Sequence, residues 1–256
     1  MNFFPHTKVL LRKGKSFIDR LATIVEVKEN RALLHTTNLP YIERKFFQQF
    51  RPLMADLGKL VVYDIGAHTG AFSLTMAQVR NVQCVYAFEP LKVNYEQLVI
   101  NTTKFPQIGC FNVALGRTTQ QALFYQSEFR AASSLLPMTE LHKAQFPYSA
   151  NISVTEVQVV SLDEFVKTND LKVPDLIKID VQGYEGNVLR GGQETIMNAK
   201  YCVIEMNFQQ LYEHSALFAD VYDLMHEMGF TFVGIIDSLS DQNGCMLQID
   251  GVFRKA

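Results

Sequence analysis

The stretch that most constrains this chain is residues 60–70, LVVYDIGAHTG. A nearly continuous apolar run is typical of a strand that is covered on both faces of a parallel sheet, and here the run stops at Gly66. Gly66 and Gly70 bracket a short loop, and helical character resumes over residues 71–79. The order of strand, glycine turn and helix predicts backbone N–H groups that face a ligand.

The chemistry of this turn favours a cationic ligand over a pyrophosphate. The spacing G-x-x-x-G differs from the G-x-G-x-x-G of dinucleotide-binding folds. Asp64 precedes the turn and adds a carboxylate that repels a pyrophosphate and attracts an ammonium or sulfonium group. Glu89 closes the next predicted strand, VYAFE, where an acidic residue typically accepts hydrogen bonds from ribose hydroxyls. These features together predict a nucleotide-type pocket.

Further motifs follow in consistent order as far as the C-terminus. They are FEP with Asn94 and Asn101 behind it, NVALG at 112–116, SLDEF at 161–165 and IKIDVQGYEGNVLRGG at 177–192. With DIGAHTG, this series resembles the FkbM-type S-adenosylmethionine-dependent methyltransferases, and IKIDVQGYE is the most family-specific piece. Such proteins usually carry Asn where this chain has His68, and Glu where it has Gln182. Both differences concern loop contacts and substrate choice rather than the class of protein.

The alternation of strand and helix patterns, in 256 residues with 48% hydrophobic content, predicts one α/β domain over residues 59–256. We expect the Rossmann-like fold of class I methyltransferases, a doubly wound, mostly parallel sheet of seven strands with the last strand antiparallel. The predicted strands are 60–65, 85–89, 108–115, 175–180, 201–206, 230–236 and 245–253. Residues 1–58 carry helical stripes and no chemical motif, which predicts a mainly helical extension that packs on the domain or forms a lid.

A long excursion interrupts this pattern. Residues 121–125 and 154–160 alternate as paired strands would, with a polar stretch at 127–151 between them. A connection of this length is uncommon in a compact domain unless it has a function. It forms either a wall on the substrate side of the pocket or a mobile surface loop.

Composition excludes several classes of partner. With 24 basic and 26 acidic residues the formal charge is −2, and no basic cluster calls for nucleic acid. No apolar run is long enough for a membrane span and no leader of signal type is visible. The four cysteines lack the spacing of a disulfide framework or a metal site, so we expect reduced thiols and a cytoplasmic location. The oligomeric state stays open.

The strand ends and the resemblance together assign roles to individual residues. The expected cofactor-binding residues are Asp64, Gly66 and Gly70 for the methionine part, His68 inside the same loop, Glu89 for the ribose, and Asn112, Ala114 and Leu115 for the adenine. The expected catalytic residues are Asp180, which would orient the acceptor and remove its proton, and Glu205. The expected substrate-binding residues are Ser133, Ser134, Glu185 and Asn207, and no metal ligands are assigned.

The resemblance implies O-methylation, by S-adenosylmethionine, of a hydroxyl on a small molecule: a sugar, a lipid-linked glycan or a polyketide-like metabolite. One alternative is an NAD(P)-dependent oxidoreductase, which is disfavoured by the missing G-x-G-x-x-G and by the lack of a Tyr-x-x-x-Lys pair near the switch point. Another is a non-catalytic cofactor-binding partner subunit. That alternative predicts a degraded acceptor side, whereas Asp180, Glu185 and Glu205 are all present.

Overall fold

The computed structural model describes residues 58–256. The extension or lid predicted for residues 1–58 therefore lies outside the described residues, apart from Gly58. The strands are β1 Leu60–Ile65, β2 Val82–Phe88, β3 Ile108–Phe111, β4 Ala114–Gly116, β5 Gln120–Ser127, β6 Ile152–Ser161, β7 Leu176–Ile179, β8 Tyr201–Asn207, β9 Phe230–Ser240 and β10 Met246–Lys255. The helices are α1 Ala71–Ala77, α2 Lys92–Thr102, α3 Glu140–Gln145, α4 Leu162–Thr168, α5 Glu185–Gly191, α6 Gln193–Met197 and α7 Phe218–Glu227.

Seven of these strands form one sheet in the order β3-β2-β1-β7-β8-β10-β9. All neighbouring pairs are parallel except the two made by β10, which runs antiparallel to β8 and to β9. The predicted doubly wound sheet with its last strand antiparallel is confirmed. The chain leaves β1 toward β2 on one side and reaches β7 on the other, so the carboxyl ends of β1 and β7 flank the switch point at which such sheets bind ligands.

The predicted third strand, 108–115, is wrong in its second half. β3 ends at Phe111, and β4 belongs to a separate sheet in the order β4-β6-β5. Asn112 lies at the break, where its side-chain amide donates to the carbonyls of Glu89 and Pro90, each at 2.9 Å. This bonding turns the chain out of the main sheet. The antiparallel pairing predicted for the excursion is confirmed, because β5 and β6 pair along their length.

Alternate residues of the central strands face two different layers. One face packs against α4, α5 and α7 through a core that includes Ile204, and the other packs against α1 through a core that includes Val62 and Val203. Asp64 and Lys178 occupy the second face at the next positions along β1 and β7, because strand side chains alternate with a period of two. Two charged groups therefore replace apolar side chains where the strands reach the switch point.

Within residues 58–256, no helix has the length and apolar character that crossing a membrane requires.

Candidate active site

The glycine turn after β1 adopts a conformation that a side chain would prevent. Gly66 has φ +83°, and a Cβ atom placed on it would lie 1.8 Å from the carbonyl oxygen of Asp180. The N–H groups of Gly66 and Ala67 both donate to the carbonyl of Phe88 at 3.0 Å. The turn is thus held between the ends of β2 and β7, and glycine is required because the backbone of Asp180 occupies the space beside it.

Gly70 is also left-handed, with φ +90°, but it serves packing. It is the N-cap of α1, and a Cβ here would lie 2.6 Å from Leu98 Cδ1 on α2. Gly70 does not line the cavity described below. Its role in this fold is to let α1 approach α2.

Asp64 is fully buried and only partly satisfied. Its Oδ2 accepts hydrogen bonds from the Ser73 N–H (3.1 Å) and the Ser73 hydroxyl (2.6 Å), whereas its Oδ1 has no partner. Burial raises the pKa of this carboxyl above its ordinary value. Buried polar atoms without partners are uncommon in folded proteins, and Asp64 lines the cavity, so a ligand that carries a cationic donor would satisfy Oδ1.

Glu89 connects the turn to α2. Its Oε2 accepts from the His68 N–H at 2.9 Å, and its Oε1 accepts from the Leu91 N–H at 3.0 Å and from the Asn94 amide at 3.4 Å. Burial raises the pKa of Glu89 to about 7. His68 has φ +50°, its Nε2 is buried without a partner, and burial lowers its pKa. Glu89 and His68 both line the cavity.

One cavity of about 360 Å³ runs along the carboxyl edge of the sheet. Asp64, Gly66, His68 and Glu89 line the cavity, and Ala114 and Leu115 of the predicted adenine edge are also part of the wall. Asn112 is not part of it, because its side chain is exposed and holds the 89–90 backbone, and Val113 contributes instead. The size is in the range of small-molecule and cofactor sites.

The cavity wall also carries an ion pair next to Asp64, because Lys178 is paired in register with Asp64 on the neighbouring strand. Lys178 Nζ donates to Asp180 Oδ2 at 3.0 Å, and the Gln182 amide donates to Asp180 Oδ1 at 2.9 Å. Burial alone would raise the pKa of Asp180, but the Lys178 charge and these hydrogen bonds outweigh it and hold the pKa below its ordinary value. Burial opposes the charge of Lys178, yet Asp180 and Asp64 raise its pKa, so the ammonium stays protonated. Both side chains line the cavity.

Gln182 organises the residues behind this ion pair. It has φ +56°, and its amide nitrogen lies 3.1 and 3.0 Å from the two carboxyl oxygens of Glu205. Its amide oxygen accepts from the Tyr212 hydroxyl at 2.8 Å, and its backbone carbonyl accepts from Ser134 Oγ at 2.7 Å. Glu205 does not line the cavity, and burial, followed by the charge of Asp180, raises its pKa well above the ordinary range. Glu205 therefore acts on the cavity through Gln182.

The predicted substrate residues fall in three places. Ser133 lines the cavity, and its hydroxyl accepts from the Ser127 N–H at 3.0 Å. Ser134 and Glu185 lie behind the wall, where Glu185 Oε1 accepts from the N–H groups of Val181 (2.9 Å) and Gly183 (3.1 Å). Burial raises the pKa of Glu185 to about 7. Asn207 is buried at the end of β8 without lining the cavity, and neither of its amide atoms has a partner.

The excursion contributes to the cavity wall. Arg130, Ala131, Ser133 and Leu135 all line the cavity, and all lie in the stretch predicted to wall the pocket or to form a surface loop. This stretch contains α3 and two short 3₁₀ turns, Arg130–Ala132 and Pro147–Ser149. It therefore contains regular secondary structure and takes part in the pocket.

Comparison with known proteins identifies the family. The model of the methyltransferase FkbM domain matches residues 64–232, which is more than half of the chain. This chain belongs to the FkbM methyltransferase family. The matched region contains the glycine turn, Glu89 and the whole IKIDVQGYE block, and residues from each of these line the cavity.

Two curated relatives of this FkbM chain are methyltransferases by name, and the name of one of them specifies a hexuronic acid. The 2-O-methyltransferase NoeI of Sinorhizobium fredii (strain NBRC 101917 / NGR234) is 25% identical over 171 residues, which cover 64% of this chain and 70% of NoeI. The hexuronic acid methyltransferase AglP of Haloferax volcanii is 24% identical over 148 residues, which cover 57% of this chain and 56% of AglP. The chain thus spans little more than half of AglP.

A solved structure supports the fold. The methyltransferase FkbM of Methylobacillus flagellatus KT superposes with a TM-score of 0.50 and 14% sequence identity. The superposition covers 95% of this chain and 56% of that protein. This likeness agrees with the class I methyltransferase fold of the chain.

Sequence reasoning missed three residues of this FkbM site: Lys178, Asp250 and, as a structural hub, Gln182. Lys178 carried a usable signal, because a lysine inside the apolar strand LIKI is costly unless it is paired or functional. Asp250 gave no such signal, since it lies in a half-polar strand far from every motif. Within residues 58–256 no group of three or more His, Cys, Asp and Glu side chains has the geometry of a metal site.

Proposed function

We propose that this protein transfers a methyl group from S-adenosylmethionine to a hydroxyl of a sugar or glycan. The observation that carries the proposal is one cavity lined both by an unpartnered buried carboxylate oxygen, Asp64 Oδ1, and by the neighbouring Lys178–Asp180 ion pair. A cationic donor would bind at Asp64, and a hydroxylated acceptor would bind beside it at the ion pair. Family membership supports methyl transfer, the name of NoeI supports transfer to an oxygen, and the name of AglP supports a sugar-type acceptor.

The residues around Asp64 and Glu89 fit S-adenosylmethionine. Asp64 would accept hydrogen bonds from the amino group of the methionine part, and Glu89 would accept them from the ribose hydroxyls. Val113, Ala114 and Leu115 would pack against the adenine, because they present apolar surface beside Glu89. When bound, this compound supplies an electrophilic methyl group on sulfur, whose leaving group is a neutral thioether.

Lys178 and Asp180 would position the acceptor. Lys178 has three N–H donors and uses one on Asp180, so two remain for an acceptor oxygen. Asp180 keeps its charge because its pKa is lowered, and it fixes the orientation of Lys178. Glu205 holds Gln182, which in turn holds Asp180. Alignment of two reactants in this way lowers the barrier by about 7–11 kcal/mol when the geometry is productive.

The first experiment is thermal unfolding with S-adenosylmethionine, S-adenosylhomocysteine, NAD and NADP in parallel. A ligand at a hundred times its dissociation constant stabilises the folded state by about 2.7 kcal/mol, which raises the midpoint by about 5–10 °C. We expect this shift with the two adenosyl compounds alone. A shift with NAD or NADP alone would contradict the proposal.

The acceptor is then sought among methyl glycosides of hexoses and hexuronic acids, with release of S-adenosylhomocysteine as the readout. Methylation of one of these hydroxyl compounds supports the sugar acceptor. Binding of the adenosyl compounds without methylation of any of them would favour the non-catalytic partner subunit or a non-sugar acceptor.

A further inference from the structure

Asp250 lies on the same face of the sheet as Lys178, although the two residues are distant in the sequence. Lys178 is paired in register with Asp64 on β1 and with Val203 on β8, and Val203 is paired with Val252 on β10. Paired residues of neighbouring strands share a face, and Asp250 lies two positions from Val252. Asp250 therefore projects from the same sheet face as Lys178, and it lines the cavity.

Asp250 is the least occupied of the four carboxylates that line the cavity. Glu89 and Asp180 have both oxygens engaged in hydrogen bonds, and Asp64 has one oxygen engaged. No hydrogen bond to the Asp250 side chain is formed by any residue in the described range 58–256. A carboxylate that removes a proton from a bound hydroxyl needs an oxygen that can accept it, so the free carboxylate is better suited than the occupied ones.

The groups that face Asp250 come from β8 and β9, which flank its strand, and from β7, which lies beyond β8. Lys178 on β7 attracts its charge, whereas Asp180 beyond β7 and Asp237 on β9 repel it, and Glu205 on β8 lies directly opposite in register. Burial, followed by the charge of Asp180, raises the pKa of Asp250 to about 6. A base with a pKa near the working pH is the most effective one, because it is largely ionised and still accepts a proton readily.

We propose that Asp250 is the general base that takes the proton from the acceptor hydroxyl, while Lys178 positions the same oxygen. This inference rests on the proposed function and gives the proton-accepting step to Asp250, in place of Asp180. The O–H bond of the acceptor breaks and its proton goes to an oxygen of Asp250. The oxygen's electron pair forms the new O–CH₃ bond as the C–S bond of the donor breaks, and that bonding pair stays on sulfur. Asp250 then releases the proton to solvent.

The test compares Asp250→Asn with wild type and with Asp223→Asn, which removes an exposed aspartate on α7. We expect Asp250→Asn to bind S-adenosylhomocysteine within about threefold of wild type, because Asp250 lies away from Asp64 and Glu89. We expect its kcat with the acceptor found above to fall by about 10²–10⁴-fold. The acidic limb of the wild-type kcat against pH profile, with a midpoint near 6, should disappear in this variant and persist in Asp223→Asn.

Two further measurements separate a base from a structural role. Added formate should raise the kcat of Asp250→Ala by at least about tenfold, since formate supplies a carboxylate in the space left by the side chain. Protein labelled with ¹³C at its aspartate carboxyls should show one titration near pH 6 that is missing in Asp250→Asn, a readout that needs no acceptor. An Asp250 carboxyl that titrates near the ordinary value of about 3.9, or an unchanged acidic limb in Asp250→Asn, would overturn the inference.

Failure of the proposed function gives a different pattern. In that case wild type itself does not bind S-adenosylhomocysteine or does not methylate any hydroxyl compound, whatever residue stands at position 250.

Discussion

Substitution of Gly66 by alanine tests how the glycine turn after β1 is coupled to β7. The added Cβ would lie 1.8 Å from the Asp180 carbonyl oxygen, well below the 3.4 Å at which ordinary van der Waals contact begins. That oxygen belongs to the backbone, and the Asp180 N–H donates to Ile65 at 3.0 Å, so β7 cannot move aside without loss of sheet hydrogen bonds. The turn must therefore move, and Asp64 and Glu89 move with it.

Gly244 provides a matched control. It has φ +84°, close to the +83° of Gly66, but a Cβ placed on it would meet nothing within 4 Å. Gly244→Ala should lower the free energy of unfolding by about 1–2 kcal/mol, which is the cost of a left-handed alanine alone. The unfolding midpoint should fall by about 2–8 °C. Gly66→Ala adds about 1–3 kcal/mol of overpacking, so we expect a total of about 2–5 kcal/mol and a midpoint lower by about 4–20 °C.

The assay combines thermal unfolding with calorimetric titration of S-adenosylhomocysteine. We expect at least tenfold weaker binding in Gly66→Ala and unchanged binding in Gly244→Ala, whose turn between β9 and β10 contributes nothing to the cavity. If the two variants lose the same stability and both bind as wild type does, the close approach of Gly66 to Asp180 does not hold the turn, and this reasoning fails.

Three other substitutions give distinct outcomes. Asp64→Asn should bind S-adenosylhomocysteine about 10–150-fold more weakly in calorimetry, since a charge-assisted hydrogen bond contributes about 1.5–3 kcal/mol. The unliganded variant should be no less stable than wild type, because the substitution removes a buried charge. Burial raises the pKa of Glu89 to about 7, so the folded state binds the proton more tightly than the unfolded state and stability falls as pH rises from 4.5 to 7. Glu89→Gln should reduce that slope in denaturant titrations by up to about 1.4 kcal/mol per pH unit, and Glu227→Gln on the exposed face of α7 should not. Tyr212→Phe leaves Gln182 Oε1 without its donor and should cost about 1–3 kcal/mol of unfolding free energy; an unchanged value would show that water replaces the hydroxyl.

The links around Gln182 explain why several predicted residues act indirectly. Ser134 in the excursion, Tyr212 after β8 and Glu205 in β8 all contact Gln182, which holds Asp180. A change in any of them alters the orientation of the cavity carboxylate without touching a ligand. Gln182 donates to two carboxylates here, which an ionised glutamate at this position could not do.

The local features of this site were readable from the sequence because they depend on short-range chemistry. A strand that ends in Asp64 and Gly66, followed by Glu89 at the end of the next strand, predicts a βαβ unit in which the three residues meet, since parallel neighbours bring their carboxyl ends together. The same reasoning placed Asp180 at the switch point. In the structure these four residues line one cavity.

The tertiary structure decided which carboxylates face the cavity without hydrogen-bond partners. The position of β10 between β8 and β9 brings Asp250 onto the face of Lys178, and no local pattern encodes that strand order. Whether a carboxylate faces a cavity or supports a neighbour depends on partners that come from distant strands, as Glu205 and Glu185 show. The sequence by itself determined the class of fold and the glycine turn beside the cavity, because local backbone chemistry specifies both. Which carboxylates keep an oxygen free of hydrogen bonds was decided only by packing across the sheet.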